Sequence, residues 1–90
     1  MTLIQIGLKP EVVRMHRLDN SGSVKAYCDI QFGDSFIVKG FKMVEGKEGL
    51  FVAMPSEVGI NSRKSYSIFI PLNDDVKTAI ENCIIEAYSA

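Results

Sequence analysis

The sequence predicts an α+β fold, in which an antiparallel sheet of four to five strands is covered by one C-terminal amphipathic helix. Two patterns support this prediction. Apolar and polar residues alternate over residues 24–32, and a period of two is typical of a half-buried strand. Between Val76 and Ala87, apolar residues recur at helical spacing and so form one apolar face. A single helix of this kind covers one face of a sheet, so the 90 residues are expected to form one domain.

Five segments separated by turn-forming residues have the length and composition of strands. They span residues 12–18, 24–32, 35–44, 50–55 and 66–71. Gly40 interrupts the third segment and predicts a bulge or a bend, because glycine inside a strand often marks one. Residues 56–65 are polar and indicate a loop. Residues 1–11 form an apolar lead-in, which either adds an edge strand or stays loosely attached.

The helix is expected to begin after Asn73. The Asn73 side chain is a good N-cap, because it accepts hydrogen bonds from the free N–H groups of the first turn. Asp74 and Asp75 then place negative charge at the positive end of the helix dipole. The apolar face of the helix is expected to consist of Val76, Ala79, Ile80, Cys83, Ile84 and Ala87.

The composition is that of an ordinary folded domain, since the chain is 47% hydrophobic and 23% charged. No apolar run approaches the roughly 20 residues that span a bilayer. The first residues lack the basic segment and long apolar core of a signal peptide. Cys28 and Cys83 are few for a small secreted domain and are expected to be reduced, buried thiols, with a disulfide as the less favoured interpretation. We therefore expect a cytoplasmic protein without membrane contact.

The sequence offers no arrangement that nominates a catalytic or metal site. His16, the one histidine, lies between Met15 and Arg17, and no spacing supplies it with a nucleophile or an orienting group. A metal site needs three or four convergent ligands, which one histidine and two cysteines would supply only by chance. Asp74 and Asp75 are neighbours, so on a helix they point in different directions. We expect a binding function, with no enzymatic activity, no cofactor and no small-molecule substrate.

Basic side chains gather at three places, although the net charge of the chain is −1. They are Arg14, His16 and Arg17 on the first strand, Arg63 and Lys64 in the polar loop, and Lys39 and Lys42 around Gly40. Such groups contact phosphates by displacing condensed counterions, and Tyr27 and Tyr66 have rings able to stack on bases. Judged on the residues alone, ordinary solvation is the simpler interpretation. The acidic balance counts against strong non-specific binding of DNA but leaves room for one local basic patch.

Residues 49–56 read GLFVAMPS. This run and its setting resemble the SpoVG family, the stage V sporulation protein G or septation-regulator proteins of bacteria. Further landmarks follow in the correct order, with Met-Val-Glu-Gly at residues 43–46 and Pro-Leu-Asn at residues 71–73, where the family has Pro-Ile-Asn. The resemblance covers about residues 12–88, within a single SpoVG-like domain of residues 1–90.

The resemblance implies a small dimeric α+β regulator of sporulation or septation that binds DNA, and in some members RNA, without being an enzyme. Family members carry basic residues around the start of the C-terminal helix. Lys77 falls where one of them is expected, whereas Ala79 replaces another. Together with the basic clusters, this predicts that the nucleic-acid-binding residues are Arg14, Arg17, Arg63, Lys64 and Lys77.

Asp74 and Asp75 support an alternative hypothesis. They stand in the helical turn where the family tends to have Ser, Arg and Lys, and their charges repel phosphate and oppose counterion release. On this hypothesis the chain is a divergent dimeric protein-interaction module that has lost nucleic-acid binding. Its partner is then a protein rather than a nucleic acid.

The run from Leu50 to Met54 is apolar on both faces. A strand of this composition is typically buried on both sides. We expect it to lie inside the core and against a second subunit, which makes the protein a homodimer. A groove for a ligand is the less favoured interpretation of the same run.

Overall fold

The computed structural model describes residues 7–18, 22–61 and 64–90. These residues form a four-stranded antiparallel sheet, a second sheet of two strands and one C-terminal helix. The predicted α+β fold is thereby confirmed. The elements are β1 (Pro10–Arg17), β2 (Val24–Phe32), β3 (Phe36–Gly46), β4 (Gly49–Ala53), β5 (Ser56–Val58), β6 (Ser65–Ser67) and α1 (Asp74–Ser89).

The strands of the large sheet follow one another in chain order, and each neighbouring pair is antiparallel. Within the described ranges, β1 and β4 are therefore its two edges. The strand predicted at residues 66–71 is the shorter β6, which pairs with β5 in a separate hairpin. β5 lies in the segment that the sequence predicts to be a loop. The strand was not predicted because its three residues are too few to show an alternating pattern.

Gly40 forms a bulge in β3, which confirms the prediction made from the sequence. Cys28 pairs with Phe41, but the next residue, Asp29, pairs with Lys39, so Gly40 is the extra residue of β3. Its φ of 99° lies in the left-handed region, which glycine adopts without steric cost. The bulge changes which side chains of β3 face the core on either side of it.

A second bulge lies in β1, at a position that the sequence did not predict. Val12 pairs with Ile30, whereas Arg14 pairs with Asp29, so Val13 is the extra residue. Valine carries no conformational signal for a bulge, and the alternation in this short strand is irregular. A further register shift lies in β2 at Lys25, between the pairs Val24–Val44 and Ala26–Met43. The bulges at Val13 and Gly40 flank the same residue of β2, Asp29.

The core lies between the large sheet and α1. Its fully buried side chains come from β2, β3, β4 and α1: Ala26, Cys28, Ile30, Phe32, Phe41, Met43, Val52, Ile80 and Ile84. The Phe69 ring lies 5.3 Å from the Phe41 ring and 6.0 Å from the Phe32 ring, measured between centroids. Aromatic pairs at these distances stabilise packing, so Phe69 fastens the segment after β6 to the core.

The helix begins as predicted. The Asn73 side-chain oxygen accepts a hydrogen bond from the Val76 backbone N–H at 2.9 Å, which confirms Asn73 as the N-cap. Ile80 and Ile84 are buried, but four members of the predicted apolar face are only partly covered: Val76, Ala79, Cys83 and Ala87. The helix packs mainly against β1, an edge strand, so part of its apolar face extends past the core. No helix in the described ranges is long and apolar enough to cross a membrane.

The GLFVAMPS segment is less buried than its sequence predicts. Val52 is buried, but Leu50 and Phe51 are each 49% exposed. The expectation of burial on both faces is therefore not met within one chain. Phe51 pairs with Val44 and faces away from the core, because side chains alternate along β4 and Val52 is buried. Leu50 lies on the other side of the strand, but it belongs to the first pairs beside the β3–β4 turn and lies on an edge of the sheet.

Candidate nucleic-acid interface

The face of the large sheet that points away from α1 carries a cluster of polar side chains, and we call this face the open face. Its side chains alternate along each strand with those of the core. Five of them line a shallow depression of about 330 Å³: Arg14, His16, Tyr27, Asp29 and Lys39. Arg14, His16 and Lys39 are exposed and Asp29 is half-buried, so the depression is accessible to a ligand from solvent.

The two bulges determine which basic residues reach the open face. Arg14 and Lys39 both pair with Asp29, one from each side. In a regular strand Val12 and Arg14 would share one face, and so would Lys39 and Phe41, because side chains alternate with a period of two. The extra residues Val13 and Gly40 allow Val12 and Phe41 to pack toward the core while Arg14 and Lys39 lie on the open face beside Asp29. The bulges thus align a row of Arg14, Asp29 and Lys39 across three strands.

A second row lies next to the first. His16 pairs with Tyr27, and Tyr27 pairs with Lys42. The Lys42 ammonium nitrogen lies 6.0 Å from the centroid of the Tyr27 ring, at the outer limit of a cation–π contact. Because Tyr27 is 41% exposed, part of its ring is available to stack on a planar ligand group.

The open face is basic although the chain as a whole is acidic. Within the two rows, three cationic side chains, Arg14, Lys39 and Lys42, and one carboxylate, Asp29, give a local charge of +2 with His16 neutral. The net charge of the chain is −1. A local positive field of this kind attracts polyanions whatever the sign of the total charge.

A model of the SpoVG family matches residues 9–90. This chain belongs to the SpoVG family. The match confirms the resemblance that GLFVAMPS and its flanking landmarks indicate.

Relatives of the SpoVG family match most of the chain. A protein of Archaeoglobus fulgidus is 37% identical over 76 residues, which cover 84% of this chain and 88% of that protein. A protein of Desulforudis audaxviator is 38% identical over 76 residues, which cover 84% and 85%. Both carry the name "Putative septation protein SpoVG". A Listeria monocytogenes protein named "Putative septation protein SpoVG 2" is 32% identical over 76 residues, covering 84% and 74%.

Arg17 contacts the C-terminal end of α1 in this SpoVG-family protein. One guanidinium nitrogen donates hydrogen bonds to the Tyr88 carbonyl oxygen at 2.6 Å and to the Ala87 carbonyl oxygen at 3.5 Å. The guanidinium also lies 4.6 Å from the centroid of the Tyr88 ring. The last turn of α1 contains no basic residue of its own, so Arg17 supplies the positive charge that a helix C-terminus favours.

Two other described members of the predicted set, Lys64 and Lys77, lie outside the strands of the large sheet. Lys77 is exposed in the first turn of α1, and this helix covers the opposite face of the sheet. Lys64 lies in the β5–β6 hairpin, where its carbonyl oxygen accepts a hydrogen bond from the Gly59 N–H at 2.9 Å. Arg63 lies outside the described residues. Among the described members of the predicted set, Arg14 is the one on the open face, and the set as a whole stays a prediction.

The other residues of the open face were not predicted from the sequence to form one site. His16, Tyr27, Lys39 and Lys42 come from three strands, and their meeting depends on the register of each pair. The glycine at position 40 was the available signal, because a bulge there reverses the facing of Lys39 relative to Lys42. No comparable signal exists at Val13.

The core side of β2 carries a thiol with an altered pKa. Burial is the main cause, followed by the negative charge of Asp29, and together they raise the pKa of Cys28 from 9.0 to about 11. Both Cys28 and Cys83 are free cysteines. The Cys28 thiol is therefore neutral at physiological pH and packs as a small apolar group.

Proposed function

We propose that this SpoVG-family protein is a septation-linked regulator that binds nucleic acid through the open face of its large sheet. The observation that carries the proposal is the pair of bulges that bring Arg14 and Lys39 to one face beside Asp29. Bulges are frequent next to functional sites, where they re-aim side chains. The link to septation is supported by the names of the relatives.

The arrangement of the open face favours a single strand as the ligand. Arg14, Lys39 and Lys42 are placed to contact phosphates and release counterions. Tyr27 lies among these cations and offers a ring on which an unpaired base stacks. Asp29 repels phosphate, so the backbone is expected to pass over the flanking cations while a base amino group donates to the Asp29 carboxylate.

The proposed protein is a homodimer, and its apolar surface supports this. Leu50 and Phe51 of the edge strand β4 are each 49% exposed, and Val58 of the neighbouring β5 is 64% exposed. An edge strand with exposed apolar side chains is a template for pairing with another chain. A second copy that covers β4 would remove both the free edge and the apolar surface from water.

A cytoplasmic location is part of the proposal. It is supported by the two free cysteines, which reducing compartments maintain. The role is binding without catalysis.

The alternative function, a dimeric protein-interaction module, is favoured by two observations. Asp74 and Asp75 are exposed at the start of α1, where SpoVG proteins tend to carry basic residues. Arg17, one of the residues predicted to contact phosphate, instead donates a hydrogen bond to the C-terminal end of α1. On this alternative the open face is an ordinary solvated surface.

A salt series of fluorescence anisotropy titrations separates the two functions. Labelled single-stranded RNA and duplex DNA are titrated with the protein, with the Arg14→Gln/Lys39→Gln variant, and with Lys47→Gln as a matched control in the exposed β3–β4 turn. Removing two contacts to a single strand should reduce the slope of log K against log salt by about 1.4 per subunit. The control should bind as the natural protein does.

Two results would contradict the proposal. The double variant would bind with an unchanged slope if the phosphate contacts lay elsewhere. A natural protein that bound neither ligand at low salt, while remaining a dimer in sedimentation, would favour the protein-interaction module instead.

A further inference from the structure

A groove lies between the first half of β1 and α1, away from the open face. Its volume is about 690 Å³, within the range of ligand-binding clefts. One wall is formed by residues 9–12 of β1 and the lead-in to it, and the other by the part of the apolar helix face that extends past the core. Val12 and Val76 contribute the largest apolar side chains of its lining.

The helix wall of the groove is made of small side chains. Ala79, Cys83 and Ala87 all line it, and their spacing of four residues places them in one row along the helix. Such a row leaves space between the helix and the strand that larger side chains would have filled. A ligand backbone can therefore come close to the helix surface.

The strand wall of the groove is the edge of β1 that no other described strand pairs with, and we call it the free edge of β1. The Cys83 thiol donates to the Pro10 carbonyl oxygen at 3.5 Å, and the Val12 backbone hydrogen-bonds the same sulfur. These backbone groups therefore point away from β2 and toward the groove. Sulfur is a weak donor and acceptor, so an added strand would replace these contacts with stronger N–H···O bonds at little cost.

The rim of the groove is acidic. Three carboxylates, Glu11, Asp75 and Glu86, and one ammonium group, Lys9, give it a local charge of −2. A polyanion such as a nucleic acid is repelled by this rim. Cationic side chains are attracted, so the charge of the groove selects a ligand opposite in sign to that of the open face.

We propose that the groove between β1 and α1 binds an extended, cationic segment of a partner protein, which adds as a strand to the free edge of β1. Strand addition at a sheet edge gives affinity through main-chain hydrogen bonds and specificity through alternate side chains. Alternate apolar side chains of the segment enter the space beside Ala79. The lysine or arginine side chains between them pair with Glu11 and Glu86 at the rim.

The probe for this site is a fluorescein-labelled peptide of about eight residues in which lysine and valine alternate. Its anisotropy is measured against the full chain, with a glutamate–valine peptide of equal length as the control ligand. Charge reversal at the rim, in Glu11→Lys/Glu86→Lys, should weaken binding of the cationic peptide by at least about tenfold. Glu48→Lys, the same change in the exposed β3–β4 turn, should alter it by less than about twofold.

A second variant tests the shape of the groove rather than its charge. Ala79→Phe fills the space beside the helix and should also abolish binding, while thermal unfolding confirms that each variant is folded. Hydrogen exchange of the Val12 amide should slow when the peptide binds to the natural protein.

Several outcomes would overturn the proposal. They are equal binding of both peptides, unchanged binding by the rim or Ala79→Phe variants, or binding without protection of the Val12 amide. Binding that appears only after removal of residues 1–6 would assign the groove to the chain's own lead-in instead. Binding that weakens as the protein concentration rises would assign it to a second copy.

Discussion

Arg14 and Lys39 face the same side of the sheet and lie on opposite sides of Asp29, although they belong to strands that are not paired with each other. Each owes this position to one extra residue in its own strand. Two local irregularities thus create a charged row that a regular sheet of the same sequence would lack. The proposed nucleic-acid site depends on backbone geometry as much as on the basic residues themselves.

Substitution of Gly40 should weaken both stability and nucleic-acid binding. Its φ of 99° is unfavourable for other residues, and Gly40→Ala should lower the free energy of unfolding by about 1–2 kcal/mol. Steric conflict is not the cause, since an added Cβ would lie 3.7 Å from the Pro55 Cβ, an ordinary contact. Urea unfolding and anisotropy titrations measure the two effects. Lys39→Gln removes the charge and keeps the bulge, so it should lower nucleic-acid affinity without lowering the free energy of unfolding. If Gly40→Ala were as stable as the natural protein, the prediction would be contradicted.

Tyr27 should contribute to affinity for single strands without contributing to the salt dependence. Tyr27→Leu removes a stacking surface and should cost about 1–3 kcal/mol of binding free energy, with the slope against log salt unchanged. Lys42→Gln, on the adjacent strand, should instead reduce that slope. Anisotropy titrations with single-stranded RNA distinguish the two variants. If Tyr27→Leu bound as tightly as the natural protein, the ring would have no stacking role.

Arg17 should stabilise the fold rather than bind phosphate. Arg17→Ala removes the hydrogen bonds to the carbonyl oxygens of Ala87 and Tyr88 and the contact with the Tyr88 ring, which should lower the free energy of unfolding by about 1–2 kcal/mol. Urea unfolding measures this, and Arg17→Lys should recover part of the loss. A variant of unchanged stability that lost nucleic-acid affinity would support the interpretation of Arg17 as a phosphate ligand.

Cys28 should make stability depend on pH in the alkaline range. Its folded-state pKa of about 11 lies above its ordinary value of 9.0, so the protonated thiol favours the folded state. This contribution is fully present below pH 9.0 and is lost as the pH rises through that value toward 11. Its size is at most about 2–3 kcal/mol. The destabilisation caused by Cys28→Ala should therefore be smaller near pH 11 than near pH 8; the same difference at both values would contradict this.

Substitution on β4 should dissociate the proposed dimer without unfolding the subunit. Phe51 is 49% exposed in the single chain, so Phe51→Glu places a charge in the proposed interface but not in the core. Sedimentation should show a shift toward monomer, with far-UV circular dichroism retained. Ile37→Glu is the matched control, since Ile37 is 52% exposed on a different strand. A natural protein that sedimented as a monomer would exclude this interface.

The elements with regular patterns were predictable from the sequence, and those fixed by register were not. The cap at Asn73, the buried Ile80 and Ile84, and the bulge at Gly40 each have a local chemical signal that the structure confirms. The separate β5–β6 hairpin has none, because its strands are three residues long. The bulge at Val13 is decided by pairing with β2, which a single-strand pattern does not encode.

The same limit applies to the candidate site. The basic residues can be identified in the sequence. The face of the sheet on which each side chain lies depends on the strand register, which includes the bulges. Arg17 illustrates this, since it follows His16 by one position and points to the helix side of the sheet instead of the open face. Charge clusters in the sequence are therefore distributed over several surfaces in the fold.

The cluster of charges on the open face is positive and the groove rim is negative, so charge is unevenly distributed over the molecule although its net charge is −1. Near a polyanion such a molecule experiences a torque before any contact forms, and it turns its positive side forward during the diffusional approach. Productive encounters should therefore be more frequent than random collisions at low ionic strength. The helix side is left facing the surrounding solution, where a second macromolecule can reach it while the first is held.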